Sequence, residues 1–263
     1  MNIFLDGLID ITLRAGKAIM DVYQGGFEAR EKSDGSSVTD ADEAGEAIIV
    51  AGLKAVHPDI PILAEEAASR GEMPELGSKF FLVDPLDGTK EFVNRTAEFT
   101  VNIALVENGR PVAGVVLAPA LGKMWFGAID TGAFVQEIDP ATMVRTGVPQ
   151  TITVRIKPEN GLIAVASRSH RSAETESLLT KLGAEEFKPA GSSLKFCLVA
   201  EGQADVYPRL GRTMEWDTGA GQAVLEAAGG RVHELDGETE GGPLLYGKKE
   251  RGYDNPHFIA WGA

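Results

Sequence analysis

The stretch at residues 80–92, FFLVDPLDGTKEF, constrains this chain more than any other, because an apolar run stops there at two acids. Its apolar residues predict a buried strand. Pro85 predicts that the strand ends at Asp84, since proline cannot donate to a sheet ladder and keeps the preceding residue out of helix. Asp84 and Asp87 are three positions apart. Their carboxylates and the Leu86 carbonyl can therefore converge on one point that suits a hard cation with oxygen ligands.

Gly88 and Thr89 follow these acids and are predicted to begin a helical turn, whose free amides favour an anion. A divalent cation beside an anion-binding turn is what an enzyme needs to attack a phosphate ester. Two other interpretations stay open from this stretch alone. It can be a strand followed by an Asp-Gly turn that caps a helix. It can also be compared with the D-x-D-G-T motif of haloacid-dehalogenase-type phosphatases, although the acids of that motif are two positions apart and usually lie near the N-terminus.

Acidic residues mark three further points of the chain. Asp40 and Asp42 lie at or just before the first turn of a predicted helix, where an acid also stabilises the helix dipole. A second short apolar run ends at Glu65 and Glu66, and Asp217 stands where a helix of small residues is predicted to begin, a position that an N-cap would also explain. Several carboxylates that share one cleft repel each other unless cations neutralise them, so the pattern favours a metal site.

Composition limits the kind of protein. The chain has 263 residues, of which 43% are hydrophobic, enough for one large domain or two closely packed halves. The net charge of −14 argues against a nucleic-acid polymer or an anionic membrane surface as partner. The single Cys197 cannot form an internal disulfide and the N-terminal residues do not resemble a signal peptide, so a cytoplasmic location is expected. The sequence contains no apolar run of 18 residues, and we expect no transmembrane segment.

The hydrophobic pattern changes along the chain near residue 155. Before it, one amphipathic helix is predicted over residues 5–22 and a second ends at about His57, and several strands at residues 99–136 predict an antiparallel sheet. After it, strands alternate with helices and predict a mostly parallel or mixed sheet. We therefore divide the chain into residues 1–155, an N-terminal α+β half with most of the candidate metal ligands, and residues 156–263, a C-terminal α/β half with the substrate-recognition residues and the last metal ligand.

Four motifs together resemble the inositol monophosphatase superfamily of magnesium-dependent, lithium-sensitive phosphatases. They are VTDAD at 38–42, AEE at 64–66, DPLDGT at 84–89 and WDTGAG at 216–221, which occur in the family's order and at roughly its spacing. The resemblance implies an α/β (α+β) fold, the layered αβαβα sandwich of the inositol monophosphatase and fructose-1,6-bisphosphatase type. It also implies two or three Mg²⁺ ions as cofactor and hydrolysis by water that the metal activates.

The same resemblance assigns roles to individual residues. The implied metal ligands are Glu65, Asp84, the carbonyl of Leu86, Asp87 and Asp217. The implied catalytic residues are Asp42, Glu65 and Thr89, of which Thr89 and Asp42 orient the attacking water. Glu66 is either a partner of the ligand Glu65 or a surface acid.

Within the superfamily, the chain is most similar to the CysQ-type 3'(2'),5'-bisphosphate nucleotidases. The similarity rests on GSSLKFCLVAEG at 191–202, SRSH at 167–170 and DNP at 254–256. Arg209 follows a Tyr-Pro pair where inositol monophosphatases carry an acid that contacts sugar hydroxyls. An arginine there suits a second phosphate, which a guanidinium binds through two parallel hydrogen bonds. The implied reaction is hydrolysis of the 3'-phosphate of adenosine 3',5'-bisphosphate to AMP and phosphate, a step of sulfur assimilation or nucleotide recycling.

The residues expected to contact this substrate come from both halves of the chain. They are Asp87, Gly88, Thr89, Lys90, His170, Ser192, Ser193, Lys195, Arg209 and Asp217. Ser192 can instead cap its helix, Lys195 can be a solvated helix residue and His170 can flank a loop. The alternative functions are an inositol or sugar monophosphatase on the same scaffold and a catalytically silent nucleotide-binding protein. The expected partner is a small-molecule bisphosphate nucleotide, and a homodimer stays open.

Overall fold

The computed structural model describes residues 3–31, 37–167 and 173–263. Its helices are α1 (Ile3–Gly25), α2 (Asp40–Val56), α3 (Glu65–Ser69), α4 (Thr89–Val93), α5 (Ala173–Lys181), α6 (Leu194–Ala200) and α7 (Glu215–Ala227). A small antiparallel hairpin of β1 (Arg30–Glu31) and β2 (Ser37–Val38) precedes α2. The larger strands form two separate sheets.

The first sheet has seven strands in sequence order, and all its neighbours pair antiparallel except the first two, which are parallel. The strands are β3 (Ile62–Ala64), β4 (Lys79–Asp87), β5 (Thr100–Glu107), β6 (Arg110–Ala118), β7 (Lys123–Ala128), β8 (Gly132–Ile138) and β9 (Arg145–Ile152). The predicted antiparallel sheet is therefore confirmed, and it gains β9, which the sequence pattern did not indicate.

The second sheet is mixed, as predicted, with the strand order β11-β10-β12-β15-β13-β14. Its strands are β10 (Leu162–Ser167), β11 (Ala184–Ala190), β12 (Val206–Arg209), β13 (Arg231–Asp236), β14 (Thr239–Pro243) and β15 (Phe258–Trp261). β10 is parallel to β11 and β12, whereas β15 is antiparallel to β12 and β13.

Helices and sheets alternate in five layers. The pair α1 and α2 covers one face of the first sheet, α6 and α7 lie between the two sheets, and α5 packs on the second sheet in a separate apolar cluster. The helix α7 packs closely against the first sheet, since a Cβ on Gly114 of β6 would lie 2.6 Å from the Ala220 carbonyl oxygen of α7. This is the αβαβα sandwich that the family resemblance implied.

One predicted boundary was wrong, and it concerns the central motif. β4 does not end at Asp84 but continues through Pro85 to Asp87, and its pairing with β5 shifts register between Asp84 and Asp87. A proline is tolerated there because the irregular segment does not require its missing amide for the ladder. The shift leaves backbone groups of the motif available for other partners.

The segment between the two sheets contains the predicted division at residue 155, since β9 ends at Ile152 and β10 begins at Leu162. The division itself stays a prediction. None of the helices in the described residues combines the length and the apolar character needed to cross a membrane.

Candidate active site

The carboxylates of the central motif lie at one edge of the first sheet. β3 and β4 are parallel, with Ala64 opposite Val83, so Glu65, which begins α3, and Asp84 follow directly at the same edge. Asp84 is only 1% exposed, and its Oδ1 accepts a hydrogen bond from the Leu86 amide at 3.0 Å. Glu65 and Asp87 are half-buried beside it.

These acids act on each other electrostatically. Burial raises the pKa of Asp84 well above its ordinary value, and the negative charges of Glu65, Asp87 and Asp217 and a hydrogen bond with Glu65 raise it further. The pKa of Asp217 is raised in the same way, first by burial and then by the charges of Asp87 and Glu65. Burial is the largest cause of both shifts, and the neighbouring carboxylates add to it.

Asp42 joins the N-terminus of α2 to Thr89. One carboxylate oxygen, Oδ2, accepts from the Thr39 amide and hydroxyl, both at 2.7 Å, in a capping box. The other, Oδ1, lies 3.2 Å from the Thr89 hydroxyl, which is also 3.3 Å from the Leu86 carbonyl oxygen. Asp42 therefore caps its helix and contacts the predicted catalytic threonine at the same time.

Asp217 reaches the cluster from the middle helical layer. It is the third residue of α7, where its Oδ2 accepts from the Met214 amide at 2.9 Å. The alternative explanation of Asp217 as an N-cap was wrong, since the helix begins at Glu215, two residues before Asp217, and Met214 is the N-cap. The reason is that a carboxylate at the third position can satisfy the cap amide from inside the helix.

Ser192 and Ser193 connect the second half of the chain to Asp87. Ser192 Oγ lies 2.7 Å from Asp87 Oδ2 and 2.6 Å from Thr100 Oγ1, and Ser193 Oγ lies 3.3 Å from the same Asp87 oxygen. Because a hydroxyl has one proton, the consistent arrangement is that Thr100 donates to Ser192 and Ser192 donates to Asp87. Ser192 adopts a left-handed φ of 52°, which is strained for a serine. Neither serine caps α6 with its side chain.

A cavity of about 120 Å³ opens beside this cluster. Its lining includes the predicted site residues Asp87, Gly88, Lys90, Ser192, Lys195, Arg209 and Asp217. Lys90 is exposed at the rim, whereas Lys195 is 6% exposed. The alternative role of Lys195 as a solvated helix residue is therefore wrong.

Lys195 is a buried cation on the cavity wall. Its ammonium donates to the Ser192 carbonyl oxygen at 2.5 Å and lies 5.5 Å from the centre of the Tyr207 ring. Burial lowers the pKa of Lys195 to about 8, an effect that the charge of Asp87 opposes and that of Arg209 reinforces. Arg209 ends β12, and its Nε is buried without a hydrogen-bond partner among the described residues. The cavity thus has an acidic wall and a basic wall.

The donor set of the acidic wall fits a hard divalent cation. Asp87 and Asp217 on the cavity lining, with Glu65, Asp84 and the Leu86 carbonyl beside them, offer only oxygen, and burial followed by the neighbouring negative charges raises the pKa values of Asp84 and Asp217. In the described residues, no group of three or more Asp, Glu, His or Cys side chains is already arranged as a metal cluster. The reason is visible in the hydrogen bonds, since carboxylate oxygens of Asp84, Asp87 and Asp217 face amides and hydroxyls of the protein.

Sequence reasoning missed two polar residues of β5 that face this cluster. Thr100 holds Ser192, and the buried Asn102 pairs with Asp84 across the sheet, with no partner for either amide atom in the described part of the chain. The available signal was the position of both polar residues on one face of an otherwise apolar strand. His170 lies outside the described residues.

The sequence model of the inositol monophosphatase family matches residues 4–259. The chain belongs to the inositol monophosphatase family. Among relatives in this family, the 3'(2'),5'-bisphosphate nucleotidase CysQ of Escherichia coli O157:H7 is 45% identical over 257 residues, which cover 97% of this chain and 98% of the relative. The resemblance drawn from the motifs is therefore confirmed.

Solved structures of the inositol monophosphatase family share the fold. The crystal structure of CysQ from Bacteroides thetaiotaomicron superposes with a TM-score of 0.79 at 38% identity and covers 98% of this chain and 97% of that chain. An inositol monophosphatase from Anabaena gives a TM-score of 0.73 at 26% identity and covers 98% and 90%. Metal dependence is typical of the family, in agreement with the oxygen-only ligand set.

Proposed function

We propose that the chain is a metal-dependent 3'(2'),5'-bisphosphate nucleotidase that hydrolyses the 3'-phosphate of adenosine 3',5'-bisphosphate to AMP and phosphate. The observation that carries the proposal is the cavity in which the buried Lys195 and the unpaired Nε of Arg209 face Asp87 and Asp217. A monophosphate ester has one phosphate for the metal side and no second anion for these cations. A bisphosphate nucleotide occupies both walls.

The acidic wall would hold the metal. Glu65, Asp84, Asp87, Asp217 and the Leu86 carbonyl are the residues that would bind Mg²⁺, in two or three ions. When bound, Mg²⁺ lowers the pKa of a coordinated water and stabilises the negative charge on the phosphoryl and leaving oxygens. The carboxylates of Asp84 and Asp217, whose pKa values are raised by burial and then by the neighbouring acids, would be kept in their charged form by a bound cation.

Thr89 and Asp42 would orient the attacking water. The Thr89 hydroxyl has one proton, and two acceptors lie within reach, Asp42 Oδ1 and the Leu86 carbonyl oxygen. When Thr89 donates to Asp42, its lone pairs are free to accept a hydrogen bond from water, whose own lone pair then points toward phosphorus. The Gly88 and Thr89 amides would contact the oxygens of the 3'-phosphate.

The basic wall would bind the 5'-phosphate. The Arg209 guanidinium offers a fork of parallel donors, and Lys195 adds a point charge. An incoming phosphate dianion stabilises the protonated form of Lys195 and thus opposes the effect of burial. Lys90 at the rim and His170 would contribute to substrate contacts on the nucleoside side.

The proposal is tested by phosphate release in Mg²⁺ or in a chelator, with adenosine 3',5'-bisphosphate, inositol 1-phosphate and fructose 1,6-bisphosphate at matched low concentrations. We expect Mg²⁺-dependent release with a preference for the nucleotide. A preference for inositol 1-phosphate would keep the metal site and overturn the substrate. Tight nucleotide binding without any phosphate release would instead point to a binding protein.

A further inference from the structure

The short helix α3 carries Glu65 and lacks a cap of its own. It spans only Glu65–Ser69, and its N-cap residue Ala64 has no side chain that can accept a hydrogen bond from the first amides. The backbone position of a metal ligand at the first residue of so short a helix depends on this turn. The turn must therefore be fixed by a group from another element.

Glu46 of α2 supplies that group. Its side chain is 5% exposed, and its Oε2 accepts from the Glu66 amide at 2.7 Å, one residue after Glu65. Its other oxygen, Oε1, lies 3.5 Å from the guanidinium of Arg70, which is the C-cap of α3. One buried carboxylate thus contacts both ends of the helix that carries Glu65.

α2 also carries Asp42, which lies one turn before Glu46. Residues four apart lie on the same face of a helix, so α2 directs both acids toward the candidate metal site. Asp42 contacts Thr89 and Glu46 contacts the turn after Glu65. The single helix α2 therefore contacts both parts of the site, the turn at Thr89 and the turn at Glu65.

We propose that Glu46 is a positioning residue of the metal site, which sets the position of Glu65 by holding the Glu66 amide. The inference rests on the proposed function, because it takes Glu65 as a metal ligand. Burying a carboxylate is costly, and a purely structural contact between α2 and α3 is made more cheaply by apolar side chains. A charged acceptor at this place has a use where a backbone amide must be held at a fixed point.

The test compares metal binding by the full chain and its variants, measured as Mn²⁺ binding by electron paramagnetic resonance and as the Mg²⁺ concentration for half-maximal phosphate release. Loss of a group that orients a metal ligand typically weakens metal affinity by about 10- to 100-fold. We expect a loss of this size for Glu46→Ala. Glu46→Gln keeps an oxygen that can accept from the Glu66 amide, so it should recover most of the affinity.

Glu43→Ala is the matched control. Glu43 is an exposed acid of the same helix, lines the same surface cavity as Glu46 and contacts Arg30 at 3.2 Å. We expect it to leave both metal readouts unchanged. Thermal unfolding in a chelator, recorded for each variant, separates a change of stability from a change of metal affinity.

Equal Mn²⁺ affinity in the parent and in folded Glu46→Ala would overturn the inference and leave the proposed function standing. If Glu46→Ala does not fold, Glu46→Asp decides, because it keeps the charge but withdraws the carboxylate by one methylene; unchanged affinity in that variant overturns the inference and weakened affinity supports it. A parent protein without metal binding or Mg²⁺-dependent activity would overturn both proposals.

Discussion

The two walls of the cavity differ in how the fold produces them. The acidic wall and the carboxylates beside it come from the ends of β3 and β4 at one sheet edge and from α7, and burial with mutual repulsion raises the pKa values of Asp84 and Asp217. The basic wall is built from α6 and β12, and burial lowers the pKa of Lys195. In both cases burial disfavours the charged form. Under the proposed function, each wall is completed by a ligand of opposite charge, a metal on one side and a phosphate on the other.

The largest effect should come from the acidic wall. Asp87→Asn removes a charge that the metal requires but the metal-free protein does not. We expect phosphate release with adenosine 3',5'-bisphosphate to fall by at least about a thousandfold, since electrostatic stabilisation of the transition state is lost. Urea unfolding in a chelator should show equal or higher stability than in the parent. Substantial turnover in this variant would contradict the assignment of Asp87 to the metal.

A smaller effect is expected from Thr89, which is proposed to orient the attacking water. Thr89→Val keeps the shape of the side chain but removes the hydroxyl that contacts Asp42 and the Leu86 carbonyl. We expect kcat to fall by about a hundredfold, the lower end of what a positioned proton acceptor contributes, with little change in KM. Thr89→Ser retains the hydroxyl and should restore most of the activity. If Thr89→Val and Thr89→Ser behave alike, the hydroxyl does not orient the water.

Substitutions in the basic wall should impair hydrolysis of a bisphosphate much more than hydrolysis of a monophosphate. Arg209→Glu and Lys195→Met are each expected to reduce kcat/KM for adenosine 3',5'-bisphosphate by about tenfold to 150-fold, the value of one charge-assisted hydrogen bond of about 1.5–3 kcal/mol. Release from adenosine 3'-phosphate, which lacks the second phosphate, should change by less than about threefold. Equal losses on both substrates would remove the two residues from the recognition of a second phosphate.

The smallest effect should be a pH dependence of kcat/KM for the bisphosphate that comes from Lys195 in the basic wall. Lys195 has a pKa lowered to about 8, so it is charged below that pH and loses its charge as the pH rises. The kcat/KM for the bisphosphate should therefore fall above about pH 8, and in Lys195→Met this step should be absent. For folding the sign is opposite: the buried charge destabilises the protein below about pH 8, and the penalty disappears as the pH rises toward the ordinary value of 10.5. If the pH profile of kcat/KM for the bisphosphate is identical in the parent and in Lys195→Met, Lys195 is not the group whose titration lowers kcat/KM.

The same comparison explains what could be predicted from the sequence. The acidic wall was predicted because its ligands sit in short motifs, in which Asp84, Leu86, Asp87 and Thr89 are sequence neighbours at the end of an apolar strand. Helical and strand periodicity predicted the helices and the two kinds of sheet, and the family resemblance implied their layered arrangement. The end of β4 was predicted wrongly, because Pro85 is accommodated by a register shift that depends on β5.

The connections between distant residues could not be predicted. Ser192 reaches Asp87 across 105 positions, and Glu46 reaches the Glu66 amide from another helix. No local pattern encodes such contacts, because they depend on how α2 and α6 pack against the ends of the strands. Thr100 and Asn102 were overlooked for a related reason, since a polar residue within an apolar strand gains its meaning only from what faces it.

The most direct test of the two-wall account is to identify which phosphate leaves. Adenosine 3',5'-bisphosphate would be incubated with the parent enzyme in Mg²⁺, and the nucleotide product would be separated and compared with adenosine 5'-phosphate and adenosine 3'-phosphate standards. The account predicts adenosine 5'-phosphate as the product, because the metal wall acts on the 3'-phosphate while Lys195 and Arg209 hold the 5'-phosphate. Release of the 5'-phosphate, with adenosine 3'-phosphate as the product, would contradict it.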